Sequence, residues 1–312
     1  MLGKRGVKEM LYVALIGLSL IWGLSFVFIE NLIGDVGVWG TVFLRCLTGA
    51  VTLTPLLLMR MIRKKVPRSL PWKSLIIIGI FNAGLPWGLI ALSQTTITSN
   101  TAAVLNALTP ILTGVIGFII FSIILNKRQW GGIVLGFIGI MILMNFNVTQ
   151  LHASNFVGVG TMVLATTCYG FASHFTRRYA KDVNVIVLTS FSLYVGACVG
   201  IVGVILTNYN VFAVMLNAVD ITFVVSLIGL GCFGSGIAHL LYYYMINNRS
   251  AAFASTVTYL VPLTALLWGN ILLGEPITKN LVMGLLTIFL GVFLANQKTK
   301  TNTGKELAKS GA

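Results

Sequence analysis

Arg45 stands alone among the charged residues in lying well inside a long apolar run. A buried charge in lipid is costly and normally faces a cavity or a partner. A guanidinium is suited to holding a carboxylate or phosphate through two parallel hydrogen bonds. Two roles are open to it: a fixed pair with Glu30 or Asp35 that closes one side, or direct contact with a substrate. On a helix further along, Ser235, His239, Tyr242 and Ile246 follow helical spacing and share a face. His239, with an unperturbed pKa of about 6.5, is the candidate proton carrier. Trp22 and Tyr169 match in depth, Trp87 is the repeat partner of His239, and Ser25 adds a hydroxyl, whereas His174 reads as a satisfied polar residue near a helix end. Pro86, Pro110 and Pro262 each remove a backbone hydrogen bond and release a carbonyl four residues earlier, at Asn82, Asn106 and Thr258. In lipid such carbonyls are met by protein or by a water-filled cavity. Asn82, Asn106 and Thr258 therefore join the candidate substrate contacts, with a simple kink as the alternative.

No catalytic site emerges. His152, His174 and His239 are scattered, with no carboxylates beside them, where an enzyme needs paired acid/base or nucleophile–base groups. Cys46, Cys168, Cys198 and Cys232 all lie in apolar segments, with no CxxC and no His at ligand spacing, so neither a metal nor a cofactor is expected. A GxxxxGK[ST] phosphate loop is missing too, which argues against direct ATP drive.

The elements that carry these residues are membrane spans. Hydrophobic residues make up 57% of the 312 positions and charged residues 9%, with a mean hydropathy of +0.94. No soluble domain of this size keeps such a surface in water, and a span needs roughly 20 apolar residues. The sequence predicts an all-α membrane protein with ten transmembrane helices, at about 11–30, 38–58, 74–93, 101–124, 130–146, 157–176, 185–207, 221–246, 251–273 and 279–296. Lys and Arg accumulate on the cytoplasmic side of membranes. With the N-terminus inside, nineteen of the 21 basic residues fall in inner segments, Lys279 falls outside and Arg45 lies within a span. Both termini are expected in the cytoplasm. The net charge of +14 is divided into short clusters between spans, so it marks topology and not nucleic-acid binding.

The chain also contains itself twice. Shifted by 152 residues without a gap, Gly79 falls on Gly231, Gly84 on Gly236, Pro110 on Pro262, Gly132 on Gly284 and Gly139 on Gly291. The first two helices of each half repeat at a separation of 147, pairing Gly23 with Gly170 and Trp22 with Tyr169. Five extra residues between the second and third helices of the second half account for the difference. The repeats are 1–150 and 151–297, followed by a tail, 298–312, expected to be disordered and cytoplasmic. Each repeat has five helices, an odd number, so the second enters from the opposite side. Inverted repeats mark many secondary transporters, whose substrate site lies near the midplane between the halves.

Several motifs are similar to those of a known family. Leu20-Ile21-Trp22-Gly23-Leu24-Ser25-Phe26-Val27 resembles the opening helix of the EamA family, in the drug/metabolite transporter superfamily. Phe43-Leu44-Arg45 resembles its arginine-bearing second helix, and Asn106 to Pro110 and Thr258 to Pro262 resemble its proline motifs. Leu273-Gly274-Glu275-Pro276 resembles its closing signature. The resemblance implies ten helices in two inverted repeats and export or exchange of small metabolites. Ile123 occupies the first-repeat position of Glu275, which excludes a role for a matched carboxylate pair. Glu275 itself is expected to cap helix 10 at its N-terminal dipole.

The function expected is therefore a secondary transporter of a small metabolite, with an amino acid or related compound favoured, and the family resemblance implies a bacterial inner (plasma) membrane. A passive small-solute channel is the alternative, although no charged ring or filter-like loop is present. The partners expected are the substrate and membrane lipids. Gly131, Gly132, Gly136 and Gly139 form a small-residue face that packs helices within one chain or between two copies in a homodimer.

Overall fold

The computed structural model describes residues 4–63, 69–144, 153–209, 211, 220–249 and 251–296, and every regular element among them is helical. The repeat boundary at 150/151 and the tail 298–312 lie outside the described residues, as does most of the link carrying the five extra residues.

The first element, α1 (Lys4–Ile62), is broken at Gly37, with φ 68° and ψ 178°. That conformation is open essentially to glycine alone. On one straight helix Trp22 and Arg45 would stand about 35 Å apart, yet they bond to the adjacent residues Gly234 and Ser235. The limbs 4–36 and 38–62 therefore run back along each other as the first two spans. The stretch expected to leave the helix after residue 30 stays helical to Gly37, because Leu32 and Val36 continue the buried stripe.

The third span is α2 (Trp72–Gly79), a π-helical segment (Ile80–Gly84) and α3 (Leu85–Gln94). The fourth is α4 (Ser99–Asn106) and α5 (Thr109–Phe121), bent by 47° at the break ahead of Pro110. Then come α6 (Lys127–Leu143), α7 (Ala153–Tyr179) and α8 (Val185–Leu206). The eighth span repeats the third, as α9 (Ile221–Leu227), a π-helical segment (Ile228–Ile237) and α10 (Ala238–Asn248). Last are α11 (Ala251–Ser255), α12 (Val257–Leu273) and α13 (Lys279–Asn296). Among the described residues, six helical runs are long and apolar enough to cross a membrane, or seven with the bent pair joined. The first of them is two limbs, and α6 and α13 are shorter. The sum agrees roughly with the ten spans expected.

The two π-helical segments fall at equivalent places in the two repeats. In each, the first N–H past the segment reaches five residues back, Leu85 to Ile80 and Ala238 to Phe233. Pro86 stands two residues past the first segment, in the first turn of α3, and the wider turn ahead of it accommodates its missing N–H. At Pro110 the exposed Asn106 carbonyl is taken by Thr109 Oγ1 at 2.7 Å. That carbonyl is satisfied locally.

The halves are also joined symmetrically. Gly132 of α6 lies on the backbone of Gly291 in α13, and Gly139 lies on the backbone of Gly284. These are the repeat-equivalent pairs with partners exchanged, as a two-fold axis between the helices demands. Gly132 and Gly139 are thus engaged inside the chain, and Gly136 meets Ile111 and Leu108. Gly132→Ala is expected to destabilise the protein by about 1–3 kcal/mol, because its Cβ would meet a backbone carbonyl that cannot yield. Gly131→Ala, with nothing within 4 Å, is the control and should hold or raise the melting temperature of the purified protein.

Candidate substrate site

Arg45 projects from limb 38–62 toward the first turn of α3 and the second π-helical segment. It is 7% exposed, and its guanidinium carbon lies 3.7 Å from the centroid of the Trp87 ring. Nε donates to Ser235 Oγ at 3.0 Å. The Ser235 hydroxyl in turn donates to the Leu230 carbonyl at 3.1 Å, five residues back. The π register therefore aims the hydroxyl's lone pairs at Arg45. His239 Nδ1 donates to the Ser235 carbonyl at 2.6 Å. Since a carbonyl only accepts, Nδ1 carries the proton, and in the neutral ring Nε2 is left as an acceptor. Trp22 closes the group: its indole donates to the Gly234 carbonyl at 3.1 Å, and its ring centre is 6.1 Å from His239 and 5.7 Å from Tyr242. Tyr169 reaches the Trp87 indole and the field of Arg45.

The repeat symmetry organises this cluster. Trp22 and Tyr169 are equivalents, and so are Trp87 and His239, so four aromatic rings come in two related pairs. Arg45 breaks the symmetry. Its counterpart is Ser192, and the counterpart of its anchor Ser235 is Ala83. The buried guanidinium and its serine anchor thus lie on one side of a symmetric frame.

A family model describing EamA-like transporters matches residues 10–145 and again residues 156–297. The chain belongs to the EamA-like transporter family. Family members are transporters and not enzymes. Its relatives include the uncharacterized inner membrane transporter YedA of Escherichia coli K12, 29% identical over 91% of this chain and 90% of that protein. Another is the uncharacterized transporter YoaV of Bacillus subtilis, 26% identical over 92% of this chain and 96% of that protein. A solved crystal structure shares the fold with a TM-score of 0.62 at 17% identity, covering 93% of this chain and 98% of that one. The protein is a multi-pass membrane transporter.

Within this EamA-like transporter, the candidate residues divide. Trp22, Arg45, Trp87, Tyr169, His239 and Tyr242 come together, and Ser25 flanks them against Gly234 with its hydroxyl engaged by the Ile21 carbonyl at 3.0 Å. No contact among the described residues ties Asn82, Asn106 or Thr258 to Arg45. Asn82 lies in the first π-helical segment, the Asn106 Oδ1 is buried at the α4–α5 break, and Thr258 Oγ1 donates to the Ser255 carbonyl at 2.8 Å. His174 is satisfied by the Thr113 carbonyl at 3.0 Å. An apolar crevice between α5, α6 and α7, lined by Leu108, Ile111, Phe137, Ile140 and Val163, offers a polar substrate no partner.

Two expectations are corrected. Arg45 forms no pair with Glu30 or Asp35: Glu30 accepts from Gln94, while the Asp35 carbonyl accepts from the Tyr209 hydroxyl at 2.9 Å. Glu275 does not cap the last helix. Thr278 does so, through Leu281 N–H at 3.2 Å, while the two Glu275 oxygens accept from Ser99 N–H and Asn100 N–H at the start of α4, each at 2.8 Å. The reason is spatial, since the link after α12 lies over the α4 terminus. Ser235, the anchor of Arg45, is added to the candidate residues. Its place on the His239 face is the signal that points to it.

Proposed function

We propose that the protein moves an amino acid or closely related metabolite by alternating access, in efflux or exchange. The observation that supports this reading is Arg45. It is buried, stacked on Trp87 and held through Nε by Ser235, and among the described residues no carboxylate pairs with it. A substrate carboxylate would supply the missing partner in a two-point contact. The His239 Nε2 lone pair and the aromatic faces of Trp22 and Tyr242 would receive an ammonium group. His239 is also the proposed proton carrier, the one cluster residue whose unperturbed pKa is near neutral.

The distribution of Lys and Arg supports placing both termini in the cytoplasm, and the similarity to the inner membrane transporter YedA supports a bacterial inner membrane. In that orientation the Gly37 turn and Glu275 lie at the outer face. Proteoliposomes loaded with labelled amino acids and assayed with and without a pH gradient test the proposal. Saturable flux of one carboxylate-bearing class is expected. The response to the gradient should disappear in His239→Gln while exchange at a fixed pH persists. Flux that rises linearly without saturation would instead identify a channel.

A further inference from the structure

At the end of the bundle that carries the Gly37 turn, a second set of polar groups converges. Gln94, the last residue of α3 and 4% exposed, donates through Nε2 to the Phe26 carbonyl at 2.9 Å and to Glu30 Oε2 at 3.3 Å. Both acceptors fix the amide orientation, and its Oε1 is left buried without a donor. One short turn later, Ser99 and Asn100 open α4. Each is 1% exposed, and Ser99 Oγ, Asn100 Oδ1 and Asn100 Nδ2 are all buried without a partner. The Asn100 amide rests against Gly269 of α12. Glu275 holds the backbone N–H groups of Ser99 and Asn100, and its charge acts on Glu30. No basic side chain pairs with either carboxylate among the described residues.

Buried polar atoms in native proteins are nearly always partnered, and two neighbouring carboxylates repel. A cation would partner the orphaned oxygens, though not the Asn100 Nδ2 donor, and would offset the repulsion. Carboxylate, amide carbonyl and hydroxyl oxygens suit a hard cation. The Glu275 oxygens are already occupied by N–H donors, which leaves Glu30 as the one carboxylate to be neutralised among neutral oxygens. That balance fits a single positive charge better than a divalent ion. We propose that Glu30, Gln94, Ser99 and Asn100 form a binding site for a small monovalent cation, sodium, beside the Glu275 contact.

The site joins limb 4–36, α3 and α4, and Glu275 ties α4 to the link before α13. Opening this end would part Glu275 from α4 and disperse the oxygens. Occupancy and closure of this end must therefore favour each other by the same factor. The binding itself does not rest on the transport reading, because it is measured on purified protein without substrate.

The test is thermal unfolding of the purified full-length protein in sodium, potassium or choline chloride at constant ionic strength, with radioactive sodium binding as the second readout. Sodium should raise the melting temperature saturably, by on the order of 3 °C, with little effect from potassium. Glu30→Gln and Asn100→Ala should lose the sodium-specific rise and the bound label, whereas Arg45→Ala should keep both. Asn100→Ala separates a ligand role from a merely structural one. Removing an orphaned buried amide should leave stability in choline unchanged or higher while the sodium response disappears. A lower melting temperature in every salt with the sodium increment intact would overturn the proposal. So would the absence of saturable sodium binding, including the case in which acidification alone stabilises the protein.

Discussion

Arg45→Lys is expected to reduce saturable transport of carboxylate substrates about as severely as Arg45→Ala, by on the order of 100-fold in the ratio of maximal flux to half-saturating concentration. Truncating one partner of a buried, hydrogen-bonded charge pair costs about 2–5 kcal/mol, so a 100-fold loss lies well within that range. The reason lies in shape. The guanidinium carbon is 3.7 Å from the Trp87 centroid, and Nε is held by Ser235 at 3.0 Å. Those two contacts fix the plane of the guanidinium and leave its terminal nitrogens for a carboxylate in the proposed function. A lysine ammonium keeps the charge but has no plane to stack, no Nε to tether and no fork to offer a carboxylate. Ser235→Ala should cost less, about tenfold, because it loosens the fork without removing it. Uptake into proteoliposomes, beside size-exclusion profiles and melting curves, separates loss of transport from loss of fold. Full activity in Arg45→Lys would reduce Arg45 to a point charge and remove the two-point contact from the proposed function.

The sequence carries the depth of Arg45 well and its surroundings poorly, for a physical reason. Glu30 and Arg45 stand seven and eight residues either side of Gly37, so the hairpin sets them at similar depth, which made a pair reasonable. Depth follows from counting residues, but the direction of a side chain follows from how helices pack. Glu30 turns to Gln94 of α3, and Arg45 turns to Trp87 and Ser235. The duplication was legible because glycine and proline constrain the backbone. Gly132, Gly139, Gly284 and Gly291 all sit where two helices touch backbone to backbone.

The π-helical segments were not legible. One extra residue per turn leaves no mark on an apolar sequence whose neighbours are apolar on every face, and the hydrogen-bond shift at Ser235 appears only in three dimensions. That shift decides the site, since it turns the Ser235 hydroxyl toward Arg45 while its carbonyl receives His239. The face shared by Ser235, His239 and Tyr242 was visible in the spacing, but the reason Ser235 serves as the anchor was not.

The second large effect is expected at Glu275. Glu275→Ile should shift the protein strongly away from the conformation described, in which Glu275 holds the start of α4. The substitution installs the residue found at the equivalent first-repeat position, Ile123. The backbones match: Ser122 and Gly274 both adopt positive φ, 54° and 66°, and the next N–H reaches Gly117 O at 2.9 Å in one repeat and Gly269 O at 3.1 Å in the other. The side chains differ. Glu275 accepts two backbone N–H bonds at 2.8 Å from the start of α4, where helix polarity favours negative charge. Each charge-assisted bond contributes about 1.5–3 kcal/mol. Allowing for solvent competition, a net loss of about 3 kcal/mol would change the ratio of closed to open forms by more than 100-fold. Ala103, fully buried in α4, supplies a reporter. A cysteine placed there should react slowly with a membrane-impermeant maleimide in the parent and much faster with Glu275→Ile added. Glu275→Gln should fall between, because its amide keeps one acceptor and turns a donor against the other N–H. Equal labelling in all three backgrounds would show that Glu275 only stabilises the local turn, and that other contacts, such as that between Asp35 and Tyr209, hold this end shut.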